Sequence, residues 1–284
     1  TQSLYSGIVP PPPGDMTVLS SAIWHGTVYA GAVLSESIGD LSSFLCRELD
    51  WTQEELGRRL APAQIDAAVM IINGMKSGDR RARDFLLADE AGFGKGRVLM
   101  TVALWCSRNG ILPILLTKTS ALFSNLWQDA IDIGADTVFR RPFLVNEQTR
   151  IVGLNGQGTL FGNISPKLHR TTIRDLHDLP DQFGLVMLTW SQLASKNNPK
   201  LDWLLHLGKM RQIMALGDEC HTAVSRSAMI SQSAVQIRKA SVGSCDTSAT
   251  SARHVMNMAS YRNLHPWLAD LSLHSLGSLP PRSP

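Results

Sequence analysis

From residue 84 onward, short apolar runs of strand length alternate with helical patterns, and this alternation limits the fold more than any other feature. The runs are Phe85–Ala88, Pro113–Thr117, Gly184–Thr189, Gln212–Leu216 and Ala240–Gly243. Apolar strands that alternate with helices are typical of βαβ units, whose parallel sheet is covered by helices on both faces. The sequence therefore predicts an α/β fold with a mostly parallel sheet over residues 84–264.

Three segments fall outside this alternation. Residues 1–50 begin with an irregular stretch that holds a polyproline run, and they are predicted to form an N-terminal extension. The looser stretch from Pro142 to Pro180 carries Asn155-Gly156, a pair typical of hairpin turns, so it is predicted to be a hairpin or loop insertion. Residues 265–284 are rich in Ser, Leu and Pro and are predicted to be a tail.

Helices are predicted before the first strand, near Leu41–Leu49 and throughout residues 51–83. Thr52 and Glu55 match a capping box, in which the two side chains satisfy each other's backbone N–H groups. Pro62 suits the first turn of a longer amphipathic helix because its fixed φ is already helical.

Composition narrows the class of protein. Of 284 residues, 44% are hydrophobic and 18% are charged, a balance that argues against disorder. The four cysteines are widely spaced without a Cys-x-x-Cys pair, which favours a reducing compartment over a zinc site. With no signal-peptide pattern and no apolar run of membrane-spanning length, we expect a cytoplasmic protein without membrane contact. A net charge of +3 permits a basic groove for nucleic acid without establishing one.

A glycine-rich motif follows the first predicted strand and precedes a helical run. It reads Asp89-Glu90-Ala91-Gly92-Phe93-Gly94-Lys95-Gly96-Arg97. Glycines let backbone N–H groups curl around a phosphate, a helix N-terminus adds partial positive charge, and a lysine places a full charge near the β- and γ-phosphates. We therefore predict that Ala91 to Arg97 bind a nucleotide, with the side chain of Lys95 facing solvent in the free protein.

The motif departs from the usual P-loop pattern at two positions. Asp89 stands where the pattern has its first glycine, and Gly96 replaces the Ser or Thr whose hydroxyl ligates magnesium. Taken alone, the motif also fits a glycine-rich helix N-cap with a solvated lysine.

Two adjacent carboxylates follow the predicted strand Gln212–Leu216. Asp218 suits the binding of magnesium through water, and Glu219 suits the orientation and deprotonation of an attacking water. A solvated acidic turn is the alternative. The functional interpretation is favoured because ligands of open α/β sheets bind at the carboxyl ends of the strands, where the glycine-rich motif also lies.

A run of small hydroxyl residues, Thr247–Ser251, follows the last predicted strand. Their side chains are suited to hydrogen-bond His221 and Asp218, and so to report the state of a bound nucleotide. A Ser- and Thr-rich loop alone carries no such meaning, so this hypothesis depends on the other two motifs.

Together these motifs resemble those of superfamily-2 helicases, in the same order. Asp89–Lys95 resembles motif I, Asp218–His221 resembles motif II (a DEAH-type box), and Ser248-Ala249-Thr250 resembles motif III. Thr117-Lys118-Thr119 resembles motif Ia, and Leu188–Leu193 resembles a strand-end motif of Swi/Snf-like members. The resemblance covers roughly residues 50–265.

Within this superfamily the chain looks like the strawberry notch-type helicases, whose bacterial and phage relatives occur in large helicase–methyltransferase proteins. The Gly-Lys-Gly-Arg ending of Asp89–Arg97 carries this narrower resemblance, together with Ser248–Thr250 and Asn257–Tyr261. That family tolerates a glycine at the position of Gly96. The magnesium shell would then be completed by Asp218, phosphate oxygens and water.

The resemblance implies a RecA-like P-loop lobe that binds ATP and Mg²⁺. Its catalytic set would be Lys95, Asp218, Glu219 and His221, with Asp218 as the magnesium residue. Ser248 and Thr250 would couple nucleotide state to the rest of the protein. Gln64 resembles the glutamine upstream of motif I that reads adenine, and would join Ala91–Arg97 in binding the nucleotide.

The resemblance also implies macromolecular partners. Lys118, Thr119, Trp190 and Ser191 fall where such motors touch nucleic acid, with DNA favoured over RNA, although core packing is an equal alternative for Trp190. These motors close ATP between two RecA-like lobes, and the second lobe, in the same or another chain, supplies an arginine finger. The alternative function is an ATP-binding interaction or structural module with little turnover in a phage, mobile-element or defence complex.

Overall fold

A six-stranded sheet forms the centre of the fold. The computed structural model describes residues 36–78, 80–87, 94–153, 158–223 and 229–248. The strands of this sheet are β1 (Asp84–Leu87), β2 (Leu112–Thr117), β3 (Arg141–Leu144), β6 (Phe183–Thr189), β7 (Ile213–Gly217) and β8 (Gly243–Thr247). Their order is β1-β8-β7-β2-β6-β3, and every neighbouring pair is parallel. The predicted α/β fold with a mostly parallel sheet is confirmed.

Two groups of helices lie against the sheet. The first comprises α1 (Leu41–Leu49), α2 (Gln53–Arg59), α3 (Pro62–Lys76), α4 (Lys95–Arg108), α5 (Leu122–Asp132) and α6 (Asp136–Phe139). The second comprises α7 (Pro166–Arg174), α8 (Pro199–Met210) and α9 (Met229–Ala240). Helices within each group contact one another, and both α4 and α9 contact β7, so the sheet lies between two helical layers. Strands β2 and β7, at the middle of the sheet, are buried along their whole length.

The predicted helices before the first strand are present. Thr52 and Glu55 form the expected capping box at the start of α2: the Thr52 hydroxyl accepts from the Glu55 N–H at 3.2 Å, and Glu55 Oε2 accepts from the Thr52 N–H at 2.8 Å. Pro62 is the first residue of α3. Among the described residues, no helix is both long and apolar enough to cross a membrane. The predicted tail, residues 265–284, lies outside the described part of the chain.

The stretch between Pro142 and Pro180 is more regular than predicted. A two-stranded antiparallel sheet joins β4 (Ile151–Val152) to β5 (Thr159–Phe161), which agrees with the predicted hairpin, although residues 154–157 between them are not described. Strand β3 and helix α7 also lie partly or wholly in this stretch and were not predicted. Helix α7 begins with Ser165 as its N-cap and Pro166 in its first turn, a combination that is visible in the sequence.

The position of the last predicted strand was wrong. Helix α9 continues to Ala240, and the strand is Gly243–Thr247 rather than Ala240–Gly243. The apolar pattern misses it because this strand is polar yet fully buried. Its polar side chains have partners: the Ser244 hydroxyl donates to Asp84 at 2.8 Å, and Asp246 accepts from Arg238 at 2.8 Å. Buried polar groups are tolerated in a core when they are paired in this way.

Asp84, at the start of β1, accepts a hydrogen bond from Ser244 of this polar strand, and its ionisation affects the stability of the fold. Burial raises the pKa of Asp84 to about 6, against the opposing effects of the Ser244 hydrogen bond and the Arg238 charge. Between the unfolded pKa of 3.8 and this folded pKa, the folded state binds more protons than the unfolded state. The free energy of unfolding therefore falls as the pH rises through this window and does not recover above it.

Asp84→Asn is expected to remove this pH dependence. An amide can still accept from Ser244 but carries no charge to desolvate. At about pH 8 the variant should be more stable than the wild type by about 2 kcal/mol, a value reduced for partial exposure. At about pH 4 the difference should vanish. Urea unfolding at the two pH values measures it, and equal differences at both would show that the charge of Asp84 is irrelevant to stability.

Candidate functional site

Gly94 and Gln64 build the start of helix α4. Gly94 has a φ of 76°, and a Cβ atom added to it would lie 2.2 Å from Gln64 Nε2. The Gln64 amide oxygen accepts from the Ala61 N–H at 2.9 Å, and Nε2 is 3.4 Å from the Gly94 carbonyl oxygen. The structure thus places Gln64, as expected, beside the glycine-rich motif. Its visible contacts support the loop backbone, and adenine recognition by this side chain stays a prediction.

Lys95 is buried, and the expectation that its side chain faces solvent was wrong. It is the first residue of α4 and is only 8% exposed. The start of α4 lies beside α3, whose Gln64 contacts Gly94. The charge of Lys95 acts on Asp218, where it lowers the pKa of that carboxyl against the larger effect of burial. The lysine therefore lies near enough to Asp218 for the two charges to interact.

The side chain of Arg97 pairs with helix α5, and its place among the nucleotide-binding residues stays a prediction. Its guanidinium lies 3.4 Å from Asp129 and 2.5 Å from Asp132, both on α5. These two carboxylates hold the Arg97 side chain against α5, so a ligand would have to compete with them for its guanidinium group. Only its backbone belongs to the loop, through an N–H that donates to Gly94 O at 3.0 Å.

Gly96 is small because α5 passes close to it. A Cβ atom added at Gly96 would lie 2.5 Å from Asp129 Oδ2 and 3.1 Å from Leu126 Cδ2. A Ser or Thr, the residue type of the usual P-loop pattern, fits here only if the Asp129 carboxylate and the Leu126 side chain move. Burial raises the pKa of Asp129 to about 6, while Arg97 lowers it and the charges of Asp132 and Asp218 raise it.

Asp218 continues the sheet at the end of β7. Its N–H donates to Leu116 O of β2 at 2.7 Å, and its Oδ1 accepts from the Thr247 hydroxyl of β8 at 2.9 Å. Burial raises the pKa of Asp218, as does the neighbouring Glu219 charge, whereas the Thr247 hydrogen bond and Lys95 lower it. The carboxylate is therefore oriented by one strand and placed near a cation by a helix.

Glu219 leaves the strand in an unusual backbone conformation. Its φ is 50°, a left-handed value that is uncommon for residues other than glycine and is often found at functional sites. Its Oε2 lies 3.0 Å from His221 Nδ1, which is also 3.0 Å from the Ser248 hydroxyl. Ser248 is buried, and its N–H donates to Leu87 O of β1 at 3.1 Å. The segment after β7 is thus in direct contact with the segment after β8.

The four residues predicted to touch nucleic acid differ in exposure. Lys118 and Thr119 are exposed after β2, and Ser191 is exposed after β6. Trp190 is only 3% exposed, and its indole N–H donates to Asp218 O at 2.9 Å. A base cannot stack on a ring that is buried in this way, so Trp190 belongs to the core. Its hydrogen bond supports the segment that carries Asp218 and Glu219, called here the acidic turn (residues 218–221).

Part of the predicted site lies outside the described residues, namely Asp89, Ala91, Gly92, Phe93 and Thr250. Within the described part of the chain, no group of three or more His, Cys, Asp or Glu side chains is placed to hold a metal ion. A magnesium ion at Asp218 would therefore need oxygen ligands from phosphate and water. This agrees with the preference of Mg²⁺ for one or two carboxylates combined with substrate phosphates.

Gly217, which was not predicted to belong to the site, lets buried side chains pack directly before the acidic turn. A Cβ atom added to it would lie 2.2 Å from Asp246 Oδ1 and 2.9 Å from the Trp190 ring. Asp246 is paired with Arg238, and both side chains are only 3% exposed. Asp129 was also not assigned to the site. The predicted hydrogen bonds from the hydroxyl run are present, from Thr247 to Asp218 and between Ser248 and His221. A glycine directly before two acidic residues is visible in the sequence and indicates close packing. The sequence does not show which residues pack against it.

Gly217→Ala is expected to lower the free energy of unfolding by about 3 kcal/mol, because it overpacks the core and displaces a buried ion pair. Gly57→Ala is the matched control, since nothing lies within 4 Å of a Cβ atom at that helical position. The control should be neutral or stabilising by up to about 1 kcal/mol. Denaturant unfolding measures both, and equal stability of the two variants would contradict the close packing at Gly217.

Comparison with known proteins adds similarity in fold. No protein-family model matches this chain, and no curated protein matches it. The Sulfolobus solfataricus SWI2/SNF2 ATPase core in complex with dsDNA is similar, with a TM-score of 0.47 and 14% identity over 73% of this chain and 36% of that one. The UvsW helicase from bacteriophage T4 is similar with a TM-score of 0.41 and 16% identity, over 70% of this chain and 56% of that one.

This chain thus spans only 36% and 56% of the length of these two proteins. Similarity at this level does not transfer a function, and the function of this chain has to be inferred from its own residues.

Proposed function

We propose that this chain is the ATP-binding, RecA-like lobe of a nucleic-acid-dependent ATPase of the superfamily-2 helicase type. The proposal is carried by two residues at the carboxyl edge of the sheet: Lys95 at the start of α4 and Asp218 after β7 lie near enough for their charges to interact. Lys95 is buried at the first turn of α4, and its charge acts on the carboxylate that follows β7. A lysine at a helix N-terminus beside a strand-end aspartate is the pair that holds phosphate and magnesium in P-loop NTPases.

The residues present fit a nucleotide accompanied by magnesium. The N-terminus of α4 offers backbone N–H groups and the positive end of the helix dipole, and Lys95 adds a full charge. Asp218 supplies a carboxylate that Thr247 already orients. A bound magnesium ion would neutralise charge on the phosphates. The side chains of the chain itself bind and orient the phosphate end.

Glu219 is the residue we assign to the attacking water. Its backbone conformation sets it apart from Asp218, and its carboxylate contacts His221. A carboxylate in this position can orient a water and accept its proton. His221 and Ser248 then connect this base to the end of β8, so a change at the nucleotide can reach the strand that leads to residues 249–264.

The proposed nucleic-acid contacts are Lys118, Thr119 and Ser191. All three are exposed after strands β2 and β6, which lie next to each other in the sheet, and such groups bind phosphate rather than read bases. Arg97, the arginine of the 91–97 segment, pairs with Asp129 and Asp132 of α5 and is therefore not assigned to the γ-phosphate. We therefore propose that the arginine for the γ-phosphate comes from a second RecA-like lobe.

The isolated chain is expected to bind MgATP but to hydrolyse it at a rate near background. An arginine finger contributes about 10³–10⁵ in rate for related NTPases, and this chain would lack it. Equilibrium titration with ATP and phosphate release with and without DNA measure the two properties. Failure to bind ATP would contradict the proposed function. Strong DNA-stimulated turnover by the chain alone would contradict the need for a second lobe.

A further inference from the structure

The space beside Gly96 is filled by a carboxylate from another helix. In the usual P-loop pattern the residue after the lysine carries a hydroxyl that ligates magnesium. Here that residue is Gly96, and the position of a Cβ atom on it lies 2.5 Å from Asp129 Oδ2. A carboxylate oxygen therefore lies within 2.5 Å of the point where the missing side chain would begin, and it comes from α5 instead of α4.

The two oxygens of Asp129 face different groups. Oδ1 lies 3.4 Å from Arg97 Nε, whereas Oδ2 faces Gly96. Arg97 is held at its other end by Asp132, one turn further along α5, at 2.5 Å. This arrangement orients the Asp129 carboxylate with one oxygen toward the first turn of α4. Asp129 is also close enough to Asp218 for their charges to interact.

We propose that Asp129 replaces the missing hydroxyl and, together with Asp218, provides the protein oxygens for the divalent cation that accompanies the nucleotide. This inference rests on the function proposed above. Two carboxylates combined with phosphate oxygens and water form a ligand set that Mg²⁺ accepts. Glycine is then required at position 96, because any side chain there would displace the Asp129 carboxylate, which takes the place of the missing hydroxyl as a metal ligand.

The test is the effect of magnesium on nucleotide affinity in three proteins. A fluorescent ATP analogue is titrated into the wild type, Asp129→Asn and Asp132→Asn, each in excess EDTA and in Mg²⁺. Asp132→Asn is the matched control, because both aspartates pair with Arg97 and only Asp129 faces Gly96. Direct binding of Mn²⁺ in the presence of ATP, followed by electron paramagnetic resonance, provides a second readout that does not depend on turnover.

In the wild type, Mg²⁺ should raise nucleotide affinity by a certain factor over the affinity in EDTA. In Asp129→Asn we expect this factor to be about tenfold smaller, with unchanged affinity in EDTA. Asp132→Asn should keep both values. Equal behaviour of the two variants would show that Asp129 only holds Arg97, and would overturn the inference while leaving the proposed function intact. A wild type that binds no nucleotide in either buffer would overturn both.

A double variant provides an independent check. Asp129→Ala removes the carboxylate and empties the space beside Gly96, and Gly96→Ser then restores the hydroxyl of the usual pattern. The double variant should regain part of the magnesium dependence that Asp129→Ala alone has lost. Gly96→Ser in the wild-type background should instead weaken it, since its Cβ atom meets Asp129. If Gly96→Ser alone behaves like the wild type, the space beside Gly96 is not filled as described and the inference fails.

Discussion

Replacing Lys95 with Met is expected to lower the affinity of the chain for MgATP by about 100-fold while leaving the fold intact. The lysine is the buried charge at the start of α4, and a hydrogen bond to a charged group is worth about 1.5–3 kcal/mol. Methionine keeps the apolar stem that the buried position needs, whereas alanine would also remove packing. Equilibrium titration measures the affinity, and circular dichroism with denaturant unfolding checks the fold.

Lys209→Met is the control for this experiment. It removes the same charge from an exposed position near the end of α8, before β7 begins at the opposite edge of the sheet. Its affinity for MgATP should equal that of the wild type. An unchanged affinity of Lys95→Met would reject the assignment of the 91–97 segment as a phosphate-binding loop.

Glu219→Gln is expected to lower the rate of ATP hydrolysis by about 10²–10⁴ when the second lobe is present, with MgATP affinity almost unchanged. Glutamine has the size of glutamate and can still orient a water, but it cannot accept the proton. Asp218→Asn should differ, because it removes a charge next to Lys95 and weakens the dependence of binding on magnesium. Steady-state phosphate release measures the first effect and titration the second.

Wild-type turnover by both variants in the completed motor would show that the acidic turn at residues 218–221 is structural. Its contacts would then serve only to join β7 to β8, as the Thr247 hydrogen bond to Asp218 already does.

The parallel sheet and the edge that carries the candidate site were predictable from the sequence. The central strands are apolar along their whole length because helices cover both faces, and a continuous apolar run is easy to locate. The capping box at Thr52 and Glu55 was equally visible because its partners are three residues apart. Local patterns of this kind identify elements without knowledge of their neighbours.

The remaining features depend on contacts between distant parts of the chain. Strand β8 is polar and could be buried only because Asp84, Arg238 and Asp218 pair with it, and no local pattern shows this. The burial of Lys95 and Trp190 depends on how helices meet the sheet. Asp129 and Asp132 carry no motif of their own, and only the fold brings them to Arg97 and Gly96. The departure at Gly96 was visible, but its cause lay on another helix.

Hydrogen exchange of the wild-type chain, measured by mass spectrometry with and without MgATP, tests the central claim most directly. We predict protection of residues 94–101 and 213–221, which carry Lys95, Asp218 and Glu219. We predict no change at residues 107–112 and 179–184, which line a cavity of about 320 Å³ at the opposite edge of the sheet. Protection confined to that cavity, or no protection at millimolar MgATP, would contradict a nucleotide site at the carboxyl edge.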